Sequence, residues 1–248
     1  MIVLVFLRSV LVTCLFPFTV VLLGPILIVG HFLFRNKDFD DGVIMLWGKI
    51  CCRMAGVTVT VKGKENLPQE GCLLLFNHSS FFDVFAIAGY LKGVRFGAKA
   101  ELFKIPIFGK AIASAGTLPI DRKNREGVFK IYEEAKARFL KGEQFVLSPE
   151  GGRFYGPQLS PYKSGPFQFA MSVQVPVVPV VIMGAYEALP KGAFLFNLEA
   201  WKHEIVIDIL PAIPTLGYSS SNRHELIKKV YEQMNPIWVA DYKARHLN

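Results

Sequence analysis

Hydrophobic and polar positions follow three successive patterns along the chain. The first 34 residues, MIVLVFLRSVLVTCLFPFTVVLLGPILIVGHFLF, are almost wholly apolar, and with His31 neutral Ser9 to Phe34 carry no formal charge. A membrane helix needs about 20 such residues, so the segment predicts membrane attachment. It is too long for a cleaved signal peptide, and no A-x-A site follows it. Pro17 and Gly24-Pro25 interrupt it, and prolines kink or break helices. In the second pattern, DDGVIMLWGKICCRMAG (40–56), Val43, Ile44, Trp47 and Ile50 fall on one face of a helix. With the polar turn RNKDFDD between them, residues 1–56 predict either a hairpin dipping into one leaflet or a single span followed by a helix.

The third pattern alternates short strands with helices from Val57 onward. VTVTVKG (57–63) alternates, whereas CLLLF (72–76) is continuously apolar, as in a strand buried on both faces. TLPI (117–120), QFVLS (144–148), VPVVPVVIMG (175–184) and EIVIDIL (204–210) add further strands. FDVFAIAGYL (82–91) reads as a helix. REGVFKIYEEAKARFLKG (125–142) is amphipathic, with Val128, Ile131, Ala135 and Phe139 on one face and Gly142 as its stop. A last helix begins near Asn222 with Glu225 placed for a capping box, and reaches Pro236. The prediction is an α/β fold over residues 57–248, a mostly parallel central sheet flanked by helices, behind an N-terminal membrane-embedded helical segment.

Composition sharpens this. Of 248 residues, 52% are hydrophobic, and the net charge is +8; mean hydropathy is +0.34. A basic and unusually apolar chain fits an anionic, greasy partner such as a phospholipid membrane. No recognised nucleic-acid motif and no Lys/Arg stripe interleaved with aromatics is present, so nucleic acid is not an expected partner. The four cysteines, at 14, 51, 52 and 72, match no zinc spacing. They read as small apolar residues of a reducing compartment.

Candidate chemistry begins in CLLLFNHSSFFD (72–83). On one continuous helix His78 and Asp83 would lie about 140° apart and could not meet. If His78 ends a strand and a helix starts near Ser79 or Ser80, the chain bends, and Asp83 in the first turn can accept the imidazole N–H. That fixes the tautomer and raises the basicity of the other nitrogen. Strand C-terminal ends are where sites gather in open α/β sheets. No nucleophile elbow accompanies the pair, so the substrate supplies the attacking group, most simply a hydroxyl. In FVLSPEGGRF (145–154), Gly151 and Gly152 let backbone N–H groups approach a ligand, and Arg153 offers a fork suited to phosphate. Glu150 would repel phosphate, and is expected to brace an arginine or accept a bond from a glycerol hydroxyl.

NHSSFFD matches the NHxxxxD signature of the glycerolipid acyltransferases, the family of bacterial 1-acyl-sn-glycerol-3-phosphate acyltransferases. KAELFKIPIFGKAIASAGTLPIDR (99–122), SPEGGR (148–153) and VPVVPV (175–180) resemble the family's next three blocks, in its order. The resemblance runs from about Val57 to Val181. It implies transfer of a fatty acyl group from an acyl thioester, acyl-CoA or acyl-carrier protein, to the hydroxyl of a lysophospholipid. In this sequence it makes His78 the general base and Asp83 its orienting partner. Lys99, Arg122 and Arg153 become candidates for the acceptor phosphate, with Glu150, Gly151 and Gly152 shaping that loop. A thioester is already activated, so neither metal nor cofactor is required. The resemblance further implies a catalytic domain on the cytoplasmic side of a bacterial inner membrane. Gly152 departs from the family's usual Thr or Ser, which admits another acceptor, such as lysophosphatidylglycerol or an ornithine-type lysolipid. A lipid ester hydrolase using His78 to activate water is the alternative chemistry.

Overall fold

The computed structural model describes residues 2–120, 125–196 and 200–246, and the side chains of Ile2 and of 125–130 are outside that description. Two N-terminal helices, α1 (Ile2–Phe34) and α2 (Lys37–Met54), form a hairpin. Then come β1 (Val57–Lys62), β2 (Leu73–Phe76), α3 (Phe82–Tyr90), β3 (Val94–Lys99), α4 (Phe108–Ser114) and β4 (Leu118–Ile120). They are followed by α5 (Arg125–Phe139), β5 (Gln144–Leu147), α6 (Gly165–Val173), β6 (Val177–Met183), α7 (Ala185–Ala188), β7 (His203–Ile209) and α8 (Arg223–His246).

The seven strands make one sheet in the order β1-β7-β6-β2-β5-β3-β4. β6, β2, β5, β3 and β4 run parallel, while β7 pairs antiparallel with β6 and carries β1 parallel to itself. The sheet is therefore the expected mostly parallel one, with two reversed strands at one edge. The C-terminal ends of five strands share one side; His78 and Glu150 come shortly after two of them, and Lys99 ends a third. β2 sits centrally and alternates between two cores. Leu74 and Phe76 pack with Cys51, Cys52, Phe82 and Phe85 of α2 and α3. Leu73 and Leu75 face the opposite core, with Phe139, Phe167, Phe169 and Trp238 of α5, α6 and α8. Burial on both sides is why the strand reads as an unbroken apolar run.

The hairpin joins the first of these cores. Val12, Cys51, Cys52 and Ala55 belong to the same cluster as Leu74, Val178 and Ile182, so residues on both sides of position 56 share one interior. α2 is pinned at its start. Arg95 of β3 donates to Asp41 at 2.6 Å, both nearly buried, and Lys37 pairs with Glu143, which also holds Arg138 at 2.6 Å. Asn36 caps α2 by accepting from the N–H groups of Asp38 and Phe39.

Three departures from the sequence-based expectation have physical causes. α1 runs unbroken through Pro17 and Pro25, both on its exposed side; packing of the opposite face, through residues such as Leu23 and Leu27, maintains the helix. β3 carries no apolar alternation, because Arg95 is neutralised by Asp41 and Gly97 leaves room for the Leu147 and Ile120 side chains. α8 continues past Pro236 to His246, and the Asn222 side chain accepts from Ser219 N–H at 2.6 Å in place of the expected capping box. The helices α4, α6 and α7 were not among the expected elements.

α2 crosses α3 at a glycine pair. A Cβ at Gly48 would lie 2.7 Å from both Gly89 Cα and Phe85 O, distances that backbone atoms cannot relieve by rotating. Gly42, on the same helix, has nothing within 4 Å of its would-be Cβ. Gly48→Ala is expected to destabilise the fold by about 1–3 kcal/mol. Gly42→Ala is expected to be neutral or to stabilise by up to about 1 kcal/mol. Thermal unfolding of the two variants in one detergent checks the contrast, and equal midpoints would mean the helices are not in backbone contact.

Candidate active site

The site begins where β2 leaves the sheet. The last backbone pair is Phe76 with Val180 of β6. One residue on, the Asn77 side chain takes over the ladder: its amide donates to Ile182 O at 2.9 Å and accepts from Ile182 N–H at 2.7 Å. The strand thus stays anchored while its backbone turns away. Ser80 fixes the other end of the turn. Its hydroxyl donates to Leu189 O at 2.7 Å and accepts from Phe82 N–H at 3.0 Å, at the start of α3.

Between these anchors lies the bend that the five-residue spacing implied. His78 Nδ1 is 2.8 Å from Asp83 Oδ2. The same oxygen accepts the backbone N–H groups of Ser79 and Ser80, each at 2.9 Å. Asp83 is fully buried and its ring partner partly exposed. Burial pushes the Asp83 carboxyl up from its ordinary value, and the His78 bond with the two backbone donors works against that rise. Because Oδ2 accepts the Nδ1 proton, the His78 tautomer leaves a lone pair on Nε2, on the side away from Asp83.

A second loop is bolted to the first. After β5, Ser148-Pro149-Glu150 brings a carboxylate beneath His78. Glu150 Oε2 accepts His78 N–H at 2.7 Å and Oε1 accepts Ser160 N–H at 3.3 Å. Phe154 N–H then donates to His78 O at 2.7 Å, so the backbone of His78 is held on both sides by the Glu150–Phe154 segment. Glu150 is almost wholly buried. The hydrogen-bond partners of Glu150 are two backbone N–H groups rather than an arginine, and through them the residue supports the site from below. Burial raises its pKa from 4.5 to about 7, despite those two bonds.

The remaining candidates surround this pair of loops. Gly151 adopts a left-handed backbone, φ 73°, and Gly152 is exposed, with nothing within 4 Å of its would-be Cβ. Arg153 is half-buried directly after them, and Lys99 is exposed at the end of β3. Arg122 lies outside the described residues. Asn77 and Ser80 were missed as site residues, although an asparagine ending a buried strand was the available signal. Lys163, which no short motif marks, is tied to the same loop: its backbone N–H donates to Pro149 O at 2.8 Å.

Beside the dyad, α1, α2, α3, β3 and α4 enclose an apolar cavity of about 160 Å³. Phe81, three residues from His78, lines it together with Val20, Leu27, Trp47, Ala88 and Ala111. Among the described residues no cluster of three or more His, Cys, Asp or Glu side chains has the arrangement of a metal site.

Comparison with known proteins gives a consistent result. The family model described as Acyltransferase matches residues 58–183, just over half of the chain. A chloroplastic 1-acyl-sn-glycerol-3-phosphate acyltransferase of Brassica napus is 29% identical over 180 residues, covering 70% of this chain and 52% of that protein. A 1-acyl-sn-glycerol-3-phosphate acyltransferase of Saccharomyces cerevisiae is 29% identical over 185 residues, covering 73% of this chain and 60% of that protein. The chain spans about half the length of the first curated relatives it matches. Among solved structures, the 1-acyl-sn-glycerophosphate (LPA) acyltransferase PlsC from Thermotoga maritima superimposes with a TM-score of 0.80. It is 28% identical, with 94% of this chain and 96% of that chain covered.

Glu150 gives the site a signature in stability against pH. Its folded pKa lies above its unfolded value, so between about pH 4.5 and 7 the folded state holds more protons than the unfolded one. The Glu150 contribution therefore falls as pH rises through that window and is level above it. Glu150→Gln keeps an acceptor for His78 N–H, loses the acceptor for Ser160 N–H and cannot titrate. The wild type is expected to lose stability between pH 4.5 and 7 more steeply than the variant. Denaturant unfolding at several pH values measures this, and parallel curves would show that Glu150 is not held protonated by burial.

Proposed function

The chain belongs to the acyltransferase family, and from that premise we propose that it transfers a fatty acyl group from an acyl thioester to the free sn-2 hydroxyl of lysophosphatidate, giving phosphatidate. The observation that carries this reading is the 2.8 Å His78–Asp83 bond with no side-chain nucleophile framed beside it. The T. maritima structure, alike over nearly the whole of both chains, and the curated relatives bearing the 1-acyl-sn-glycerol-3-phosphate acyltransferase name support it.

In this reading Asp83 holds the Nδ1 proton, and Nε2 of His78 accepts the proton of the acceptor hydroxyl. The hydroxyl oxygen attacks the thioester carbonyl carbon to form a tetrahedral intermediate. As that intermediate collapses, the new C–O bond is kept and the C–S bond breaks. The proton on Nε2 passes to the departing sulfur, so His78 ends as it began. Asp83 stabilises the transient imidazolium without taking its proton. The acyl chain occupies the apolar cavity lined by Phe81, Trp47 and Ala88, which begins within a few residues of the dyad. Arg153, Lys99 and Arg122 are the candidates for the acceptor phosphate, with acyl-CoA or an acyl-carrier protein as donor.

The membrane part of the proposal follows from how α1 packs. By length and composition α1 could cross a membrane. Yet its inner side touches the body of the protein from Arg8, which donates to Trp201 O at 2.8 Å, through Phe16 against Phe85, to Gly24 beside Ile107 and Ala111. That contact extends about 24 Å along the helix at 1.5 Å per residue, close to the ~30 Å of a hydrocarbon core. A perpendicular α1 would drag α3 and α4 into the bilayer. We infer that α1 lies along one leaflet, with Leu4, Leu11, Phe18, Leu22 and Phe32 in lipid, all of them exposed.

His78→Ala is expected to abolish acceptor-dependent thiol release from palmitoyl-CoA while leaving folding unchanged. Release by the wild type without acceptor would point to hydrolysis, and turnover retained by the variant would remove the general-base role. Vesicle-bound protein is expected to stay bound in 1 M salt, on the order of a 3 Å Debye length. Stripping by salt would make the attachment electrostatic and leave α1 outside the bilayer.

A further inference from the structure

We propose that Lys163 is a further acceptor-binding residue, whose ammonium lies across Gly151 beside Arg153 and binds the phosphomonoester of the lysophospholipid. This rests on the acyl-transfer reading above and names a group that reads the acceptor's head.

Lys163 is fixed near the dyad by its backbone and not by sequence proximity. Its N–H donates to Pro149 O at 2.8 Å, across the loop that Glu150 and Phe154 bolt to His78. From there the side chain passes over Gly151. A Cβ on that glycine would lie 2.8 Å from Lys163 Nζ and 2.9 Å from Cδ and Cε. Gly151 is therefore required twice, by its positive φ and by the lysine laid across it. The next residue leaves open space, since nothing lies within 4 Å of a Cβ built on Gly152. Arg153 follows in the chain, so the exposed Gly152 lies between the glycine that Lys163 crosses and a second cationic residue, on the loop whose Phe154 N–H donates to His78 O.

The ammonium is exposed, and among the described residues no carboxylate lies within ion-pair distance of it. The loop's own acid, Glu150, is turned inward onto the N–H groups of His78 and Ser160. A compact ammonium and a planar guanidinium are complementary for phosphate, one as a point charge and the other as a fork. A phosphomonoester such as that of lysophosphatidate carries nearly two negative charges, whereas the phosphodiester of lysophosphatidylglycerol carries one. Two cationic residues around Gly151 and Gly152 favour the monoester. Gly152 brings no hydroxyl there, and Lys163 supplies the missing donor.

The test separates charge from packing. Lys163→Met keeps a flexible stem over Gly151 and removes the ammonium, and Lys163→Arg keeps the charge. With purified full-length chain, palmitoyl-CoA and either lysophosphatidate or lysophosphatidylglycerol, thiol release gives KM for each acceptor and for the donor. Lys163→Met is expected to raise the lysophosphatidate KM about tenfold, the loss of one charge-assisted hydrogen bond. The donor KM stays unchanged, and the preference for lysophosphatidate over lysophosphatidylglycerol shrinks by a similar factor. Lys163→Arg is expected to restore most of both. An unchanged lysophosphatidate KM, or equal losses on both acceptors, would overturn the role and leave Lys163 as a support of the loop. Wild-type protein that does not turn over lysophosphatidate would sink the acyl-transfer reading, and this inference with it.

Discussion

A single carboxylate oxygen organises the candidate active site of this molecule. Asp83 Oδ2 receives three N–H donors, from the His78 ring and from the backbones of Ser79 and Ser80, in a place with no access to solvent. A buried charge is tolerable only when it is paired and hydrogen-bonded. Here the pairing comes from the very turn whose shape the charge requires. The bend from β2 into α3, the orientation of the imidazole and the identity of its free nitrogen are therefore one arrangement. Asn77 and Ser80 tie that arrangement to β6 and to the segment after α7, so the turn is set by the sheet and not by its own flexibility.

Glu150 extends the same logic to the second loop. Its two oxygens accept backbone N–H groups from residues 78 and 160, which are far apart in sequence. In effect the carboxylate fills a gap that no strand could reach. β2 and β5 are neighbours in the sheet, and beyond their last pair the Glu150 side chain and the Phe154 N–H continue the cross-connection. Two acids thus do different work: one orients a ring, and the other holds together the loops that carry it.

The dyad was legible in the sequence because its constraint is local. A buried strand, a histidine and an acid five residues on leave few ways for the two side chains to meet other than at a strand–helix bend. The strands with apolar runs were legible for the same reason, since β2, β5 and β6 lie in the middle of the sheet. β3 was not, because the burial of Arg95 depends on Asp41, on a different element 54 positions earlier. The continuity of α1 through Pro17 and Pro25 depends likewise on neighbours that a local rule does not see. The partners of Glu150 were not legible because they are main-chain groups, which every sequence contains and none displays. Lys163 was invisible for a related reason: its link to the site is a backbone bond to Pro149.

The hairpin is clamped to the body at its turn by Asp41–Arg95 and Lys37–Glu143, and along its length by the Gly48–Gly89 contact. Hairpin and candidate site are therefore packed as one unit, and with α1 lying along one leaflet as proposed, the apolar cavity shared by α1, α2, α3 and α4 would open at a fixed depth. Under the proposed function, a chain held this way would not meet its acceptor by diffusion through water. It would meet it in two dimensions, at a frequency set by how many of the surrounding lipids are acceptor molecules. At a fixed donor concentration, diluting the acceptor with inert lipid would slow it, whereas diluting the vesicles with buffer would not. The relevant acceptor concentration would be a mole fraction of the membrane, and product would return to the same plane from which the acceptor came.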